Sequence, residues 1–331
     1  MRSHGFSLDN GVIAATSIGI VVFSFLSHVA VCGFIIITGF FLINSRFNLR
    51  HFLRILLELF FYGMAWFAVL LCSGKQPFSW SFLVASLLPS LYQYWFIACY
   101  LVLFIFAPFI NAGLKKLSLK LFAILLVCLF VFGSLIPTFA LRSLLFEKLG
   151  FVLLFCFCYV LGAFFSKFQI KINRYWRLNS ILCFFTGIGC SLGVLFYNQK
   201  MGSDYDPLLF VRDFSPFVLG VSAGLFLEFS SFKARSFPWI NVLASAVFGI
   251  YLFHENAFST DFIYQQIFHV ADYASSAYLF LYCFGFTCCI MTPLETFSTK
   301  EIVSDCGFKP SVSFKEGVRL TYDYLKSLEA K

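Results

Sequence analysis

Long uncharged runs alternate with short charged connectors over residues 11–293. A helix needs about 20 apolar residues to cross the hydrocarbon core of a bilayer, and nine segments meet that need. Gly11–Asn44 is free of charge and predicts one span with an irregular lead-in that breaks near Ser27 and His28. Arg54–Cys72 follows with a single acid, Glu58. Within the uncharged run Gln76–Leu114, residues 77–92 contain Pro77 and Pro89 and read as a loop or re-entrant piece, and Tyr94–Ala112 as the span. The remaining spans are Leu121–Leu141, Gly150–Ser166, Asn179–Asn198, Ser215–Phe229, Trp239–His254 and Ser276–Pro293. The expected fold is all-α, a polytopic transmembrane helical bundle of about nine spans with a short soluble carboxyl-terminal tail.

Lys and Arg in short loops resist translocation and orient such a bundle. Alternate connectors carry Arg46, Arg50 and Arg54; Lys115, Lys116 and Lys120; Lys167, Lys171, Arg174 and Arg177; and Lys233 and Arg235. The opposite set has Arg2, Lys75, Arg142, Lys148, Lys200 and Arg212, diluted by Asp9, Glu147, Asp204, Asp206, Asp213, Glu255, Asp261 and Asp272. The first set is therefore expected in the cytoplasm of a multi-pass plasma-membrane protein, with the amino terminus outside. No basic leader with a cleavage site precedes that terminus, so a further helix upstream is expected.

Composition sharpens the picture. Sixty per cent of residues are hydrophobic, 21% aromatic and 12% charged, with a mean hydropathy of +0.87. An ordinary soluble enzyme is about a quarter charged, so that class is excluded. The 24 basic residues exceed the 16 acids, but they are spread over connectors rather than gathered on one face, which excludes a nucleic-acid partner and leaves membrane lipids. The 12 cysteines lie mostly singly inside apolar runs, with no CxxC pair, and read as helix-packing residues. No phosphate loop, HExxH or GxSxG motif occurs, and no metal is expected.

What remains is polar residues at membrane depth, which are costly there and mark candidate sites. His254 closes the run Phe248–His254, and Tyr251 lies one turn earlier on the same face, within reach of a shared hydrogen bond. His28 lines either the break in the first run or a substrate site. His4 sits in a polar lead-in, and His269 with Asp272 reads as a solvated face. Arg46, Arg50, His51 and Arg54 form a basic cluster that is either a topology signal or an anion site, since guanidinium groups suit phosphates. Glu58, one turn past Arg54, is placed to pair with it.

Four segments in this order resemble the membrane acyltransferase-3 family. They are Phe34-Ile35-Ile36-Ile37-Thr38-Gly39-Phe40-Phe41-Leu42, Arg50-His51-Phe52-Leu53-Arg54, Tyr94-Trp95-Phe96 running to Pro108-Phe109-Ile110-Asn111, and Gly249-Ile250-Tyr251-Leu252-Phe253-His254. The resemblance implies an enzyme that moves an acetyl or other acyl group from an acyl-CoA donor to a hydroxyl of a cell-surface sugar or polysaccharide. It implies Arg50, His51 and Arg54 as donor-binding residues, and His254 with Tyr251 as the best catalytic candidates present. Trp95 and His28 are then substrate-site candidates. Family members open with a helix carrying a basic residue and a catalytic histidine; this chain starts in the polar stretch that follows, so that helix is expected to be missing, with His4 as a poor substitute.

Residues 1–294 are thus expected to form the acyltransferase-like domain. The polar tail, 295–331, resembles the end of a nucleotide-sugar epimerase over Cys306–Arg319; no Rossmann core accompanies it, and no epimerase activity follows. Rival readings are a multispan transporter or flippase of lipid-linked sugars, and an inactive truncated remnant. Paired broken helices in an inverted repeat, which would favour a transporter, are not evident. The acyl group, the acceptor sugar and the oligomeric state are left open by the sequence.

Overall fold

The computed structural model of the chain describes residues 15–45, 48–88, 94–139, 144–232, 247–256, 260, 262–267 and 269. Among the described residues the secondary structure is entirely helical, and seven helical segments are long and apolar enough to cross a membrane. They match the first seven predicted spans. Of the eighth only 247–254 is described, and it is helical; the ninth, the tail, His4 and the basic residues Arg46, Lys233 and Arg235 lie outside the described residues. The chain divides into two units. One comprises residues 1–235 and 251–286; the other, 236–250 and 287–331, is described only over the helical residues 247–250.

The polar residues between apolar runs act as helix caps, satisfying N–H groups that a helix start leaves unpaired. Helix α1 spans Ala15–Leu42 and α2 spans Leu49–Cys72. The Asn48 side chain accepts from the Arg50 and His51 amides at 3.0 and 3.3 Å and so starts α2. Ser79 caps a short helix, α3 (Trp80–Leu87), inside the stretch expected to be loop or re-entrant. Helix α4 is Trp95–Leu114. Ser118 caps α5 (Leu119–Phe130), which continues through a π-helical turn, Val131–Leu135, into Ile136–Phe139. Helix α6 is Leu144–Lys167; α7, capped by Asn173, is Arg174–Met201; α8, capped by Ser215 with Pro216 in its first turn, is Pro216–Ser230.

Helix α1 does not break at Ser27 and His28. These two side chains are bonded without interrupting the ladder: Ser27 Oγ donates to the Ser24 carbonyl at 2.8 Å, and His28 is bonded across the bundle at 2.8 Å. The helix packs most extensively on α6 and then on α8. At the α1–α6 crossing a Cβ on Gly39 would lie 2.0 Å from the Tyr159 carbonyl oxygen, and one on Gly162 would lie 2.0 Å from that of Ile36. In lipid, where apolar burial does not drive helices together, small residues permit close backbone approach.

The basic end of the bundle is tied together by side chains that satisfy helix carbonyls. Asn111 Nδ2 donates to the Leu42 carbonyl and Asn111 Oδ1 accepts from the Tyr159 hydroxyl, both at 2.9 Å. Lys167 Nζ donates to the carbonyls of Leu114, Lys115 and Leu117 at 2.6–2.9 Å, just where α4 ends. The Arg177 guanidinium holds Glu228 bidentately at 2.7 and 3.0 Å and so levels α7 with α8.

From that common level α8 is much shorter than α7, by about 18 Å at 1.5 Å per residue. The chain between them therefore folds back into the bundle as irregular backbone with a 3₁₀ turn, Leu209–Val211. Such backbone survives at membrane depth only if buried in protein with its polar groups satisfied. Val211, Asp213, Phe214 and Ser215 are buried. Ser215 Oγ donates to the Phe210 carbonyl at 2.6 Å, Thr138 Oγ1 to Phe214 at 3.3 Å and Cys32 Sγ to Asp213 at 3.4 Å. Asp213 is thus not the loop acid expected at an aqueous face.

Gly162→Val should abolish the accumulation of monodisperse detergent-extracted protein, because backbone cannot yield to the added side chain. Gly189→Ala, with open space around it, should leave elution unchanged and raise thermal stability by up to about 1 kcal/mol. Size-exclusion profiles and melting curves of the two variants check this.

Candidate active site

At the basic end, the first turns of α2 carry Arg50, His51 and Arg54. Arg54 Nε pairs with Glu58 Oε1 at 2.8 Å, as their spacing on the helix predicts; Arg54 is largely exposed, and such a pair contributes little stability. What it does is orient the guanidinium. The His51 ring lies 5.7 Å from that of Phe104 on α4, tying the basic cluster to the next transmembrane helix.

Phe104 is the first rung of a ladder. On α4, Phe96, Tyr100 and Phe104 recur every fourth residue and stack, with centroids 6.4 and 6.2 Å apart. Residues four apart on a helix are neighbours on one face, so the three rings climb about 12 Å along the bundle. Phe34 of α1 contacts Phe96 and Tyr100 at 5.8 and 5.9 Å. At the far end Phe96 meets Tyr251 at 6.0 Å, and Tyr251 meets the His254 ring edge-to-face at 6.3 Å. His254 Nε2 lies 3.6 Å from Glu255 Oε1. The basic cluster and the Tyr251–His254 pair, remote in sequence, are the two ends of one aromatic track.

The helix end that bears His254 is held by side chains from two other helices. The Tyr94 hydroxyl donates to the Leu252 carbonyl at 2.5 Å and accepts from Asn256 Nδ2 at 3.3 Å. Trp66 Nε1 donates to the Phe253 carbonyl at 3.0 Å. These are carbonyls that a helix end leaves unpaired. The Tyr94 and Trp66 bonds explain how a histidine at such an end is kept in one place.

Trp95, half exposed at the start of α4, packs on Phe151 at 4.7 Å and Phe155 at 6.2 Å. Phe151 in turn contacts Phe214 at 6.2 Å. That chain of rings leads to His28, whose Nδ1 is 2.8 Å from Oδ1 of Asp213; the side chains are 28% and 7% exposed. Asp213 escapes sequence analysis because nothing local distinguishes it from the other acids on its side of the bundle. The ladder had a signal in the sequence, aromatic residues at 96, 100 and 104. His269 is exposed with φ 44°. Among the described residues no three His, Cys, Asp or Glu side chains converge as a metal site.

An acyltransferase-domain family model matches residues 3–297. The chain therefore belongs to the acyltransferase-3 family and is a membrane acyltransferase. No curated protein and no solved structure matches it.

Tyr94→Phe removes the donor to Leu252 and should destabilise the protein by about 1–3 kcal/mol, the cost of leaving a buried carbonyl unpaired. A lowered melting temperature with unchanged membrane insertion checks it.

Proposed function

We propose that this protein transfers an acetyl or other acyl group from an acyl-CoA donor, bound at the basic end, to a sugar hydroxyl of a surface polysaccharide or glycolipid at the opposite end. The observation that carries this reading is the aromatic track joining the Arg50–His51–Arg54 cluster to Tyr251 and His254. In the proposed topology the basic end faces the cytoplasm of the plasma membrane, as the distribution of Lys and Arg favours.

The chemistry assigns tasks to the two ends. Arg50, His51 and Arg54 supply cationic donors for the coenzyme's phosphates, with Arg54 oriented by Glu58. The thioester arm lies along apolar and aromatic rings, which exclude water and so protect the acyl group from hydrolysis. At the other end a hydroxyl must be activated, which calls for a general base; a histidine suits that task, His254 beside Tyr251 lines the end of the track, and Trp95 offers a flat apolar surface for a sugar ring.

Purified protein in proteoliposomes, given radiolabelled acetyl-CoA on the basic side and a hydroxyl acceptor on the other, should yield labelled ester. Arg54→Ala should raise KM for acetyl-CoA about tenfold, consistent with losing a charge-assisted contact of 1.4 kcal/mol, and change kcat little. No ester from the wild-type protein, or an unchanged KM, would count against the reading.

A further inference from the structure

We propose that His28, oriented by Asp213, is the general base that activates the acceptor hydroxyl; this rests on the acyl-transfer reading above. The pair is built from three sequence-distant parts. His28 is mid-helix on α1, Asp213 is in the inward fold between α7 and α8, and Thr138, beyond the π-turn, holds the next carbonyl. A carboxylate at membrane depth is costly and marks function by default. Asp213 is 5% exposed and is held there by irregular backbone whose carbonyls accept from Cys32 on α1, from Thr138 and from Ser215.

The geometry suits proton transfer. A carboxylate accepts, so Nδ1–H of His28 donates to Asp213 Oδ1 at 2.8 Å. That bond selects the tautomer with a lone pair on Nε2 and stabilises the imidazolium once it forms. His28 keeps 28% of its side chain exposed, while its partner is buried at 7%, so the ring can be reached and the carboxylate cannot. Among the described residues four serines, Ser24, Ser86, Ser134 and Ser191, have buried hydroxyls without a hydrogen-bond partner. Ser24 is one turn from His28 and Ser134 one turn from Thr138. The rings of Phe214, Phe151 and Trp95 connect the pair to the far end of the aromatic track.

In the reaction, Nε2 of His28 takes the proton of the acceptor hydroxyl as its oxygen attacks the thioester carbonyl carbon and the new C–O bond forms. The tetrahedral intermediate collapses with cleavage of the C–S bond. The coenzyme A thiolate leaves and takes the proton from the imidazolium, giving ester and free thiol. Asp213 touches no reacting atom and is a positioning residue.

Two His28 variants remove the base, one keeping and one losing the donor that faces Asp213. His28→Asn retains a donor near the position of Nδ1, facing Asp213, and deletes Nε2; His28→Gln removes the Asp213-facing donor and supplies no base. Both should lower kcat by about 100-fold or more, the usual contribution of general-base catalysis, with KM for acetyl-CoA unchanged and wild-type elution from a sizing column. Asp213→Asn should also lower kcat, and Asp213→Glu should restore part of it, which a purely packing role would not produce. The assay is the proteoliposome one, with radiolabelled acetyl-CoA and octyl glucoside as hydroxyl acceptor. Wild-type kcat in His28→Asn, or loss in every variant that parallels loss of folded protein, overturns the assignment while leaving acyl transfer in place. No ester from the wild-type chain removes both.

Discussion

The contact between Gly39 on α1 and Gly162 on α6 brings two backbones close enough that each glycine's missing Cβ would sit on a carbonyl of the other helix. Everything around it is registered by that approach. Tyr159, whose carbonyl faces Gly39, sends its hydroxyl to Asn111, and Asn111 reaches the last carbonyl region of α1 at Leu42. Three helices are thereby locked at the basic end, where hydrogen bonds inside an apolar bundle have few competing partners. The same crossing fixes the rotation of α1 about its axis, and so sets where His28, Cys32 and Phe34 point.

A second constraint acts at the other end. Because Arg177 and Glu228 level α7 with α8 while α8 is only 15 residues long, the connecting chain must fill the gap with backbone that cannot be solvated by water. Its carbonyls draw donors from α1, from the residues beyond the π-turn, and from Ser215. Burying an acid in such a segment requires a partner, and His28 is that partner. The polar interior is thus a consequence of a short helix beside a long one.

The proposed function rests on how the two ends of the bundle are joined. The rings of α4 form a continuous apolar surface between the basic cluster on α2 and the end where Tyr251, His254 and Trp95 gather. For the acyl-CoA donor proposed above, that surface offers a dry path, because water along it would hydrolyse the activated acyl group. Tyr94 and Trp66 add rigidity where the track ends, pinning carbonyls of the segment that carries His254.

Hydropathy and charge spacing by themselves determined the helical class, the first seven spans and the Arg54–Glu58 pair, because each depends on residues within a few positions of one another. Family-like segments also marked Gly39, Asn111, Tyr251 and His254, although the sequence could not say what Gly39 and Asn111 do. Their roles are contacts between helices, and only packing reveals that Gly39 admits a neighbouring backbone or that Asn111 caps α1. The break expected at Ser27–His28 failed for the same reason: a polar residue in an apolar run reads as a disruption until a partner is known, and that partner, Asp213, lies 185 residues away in a segment whose burial is decided by the unequal lengths of α7 and α8.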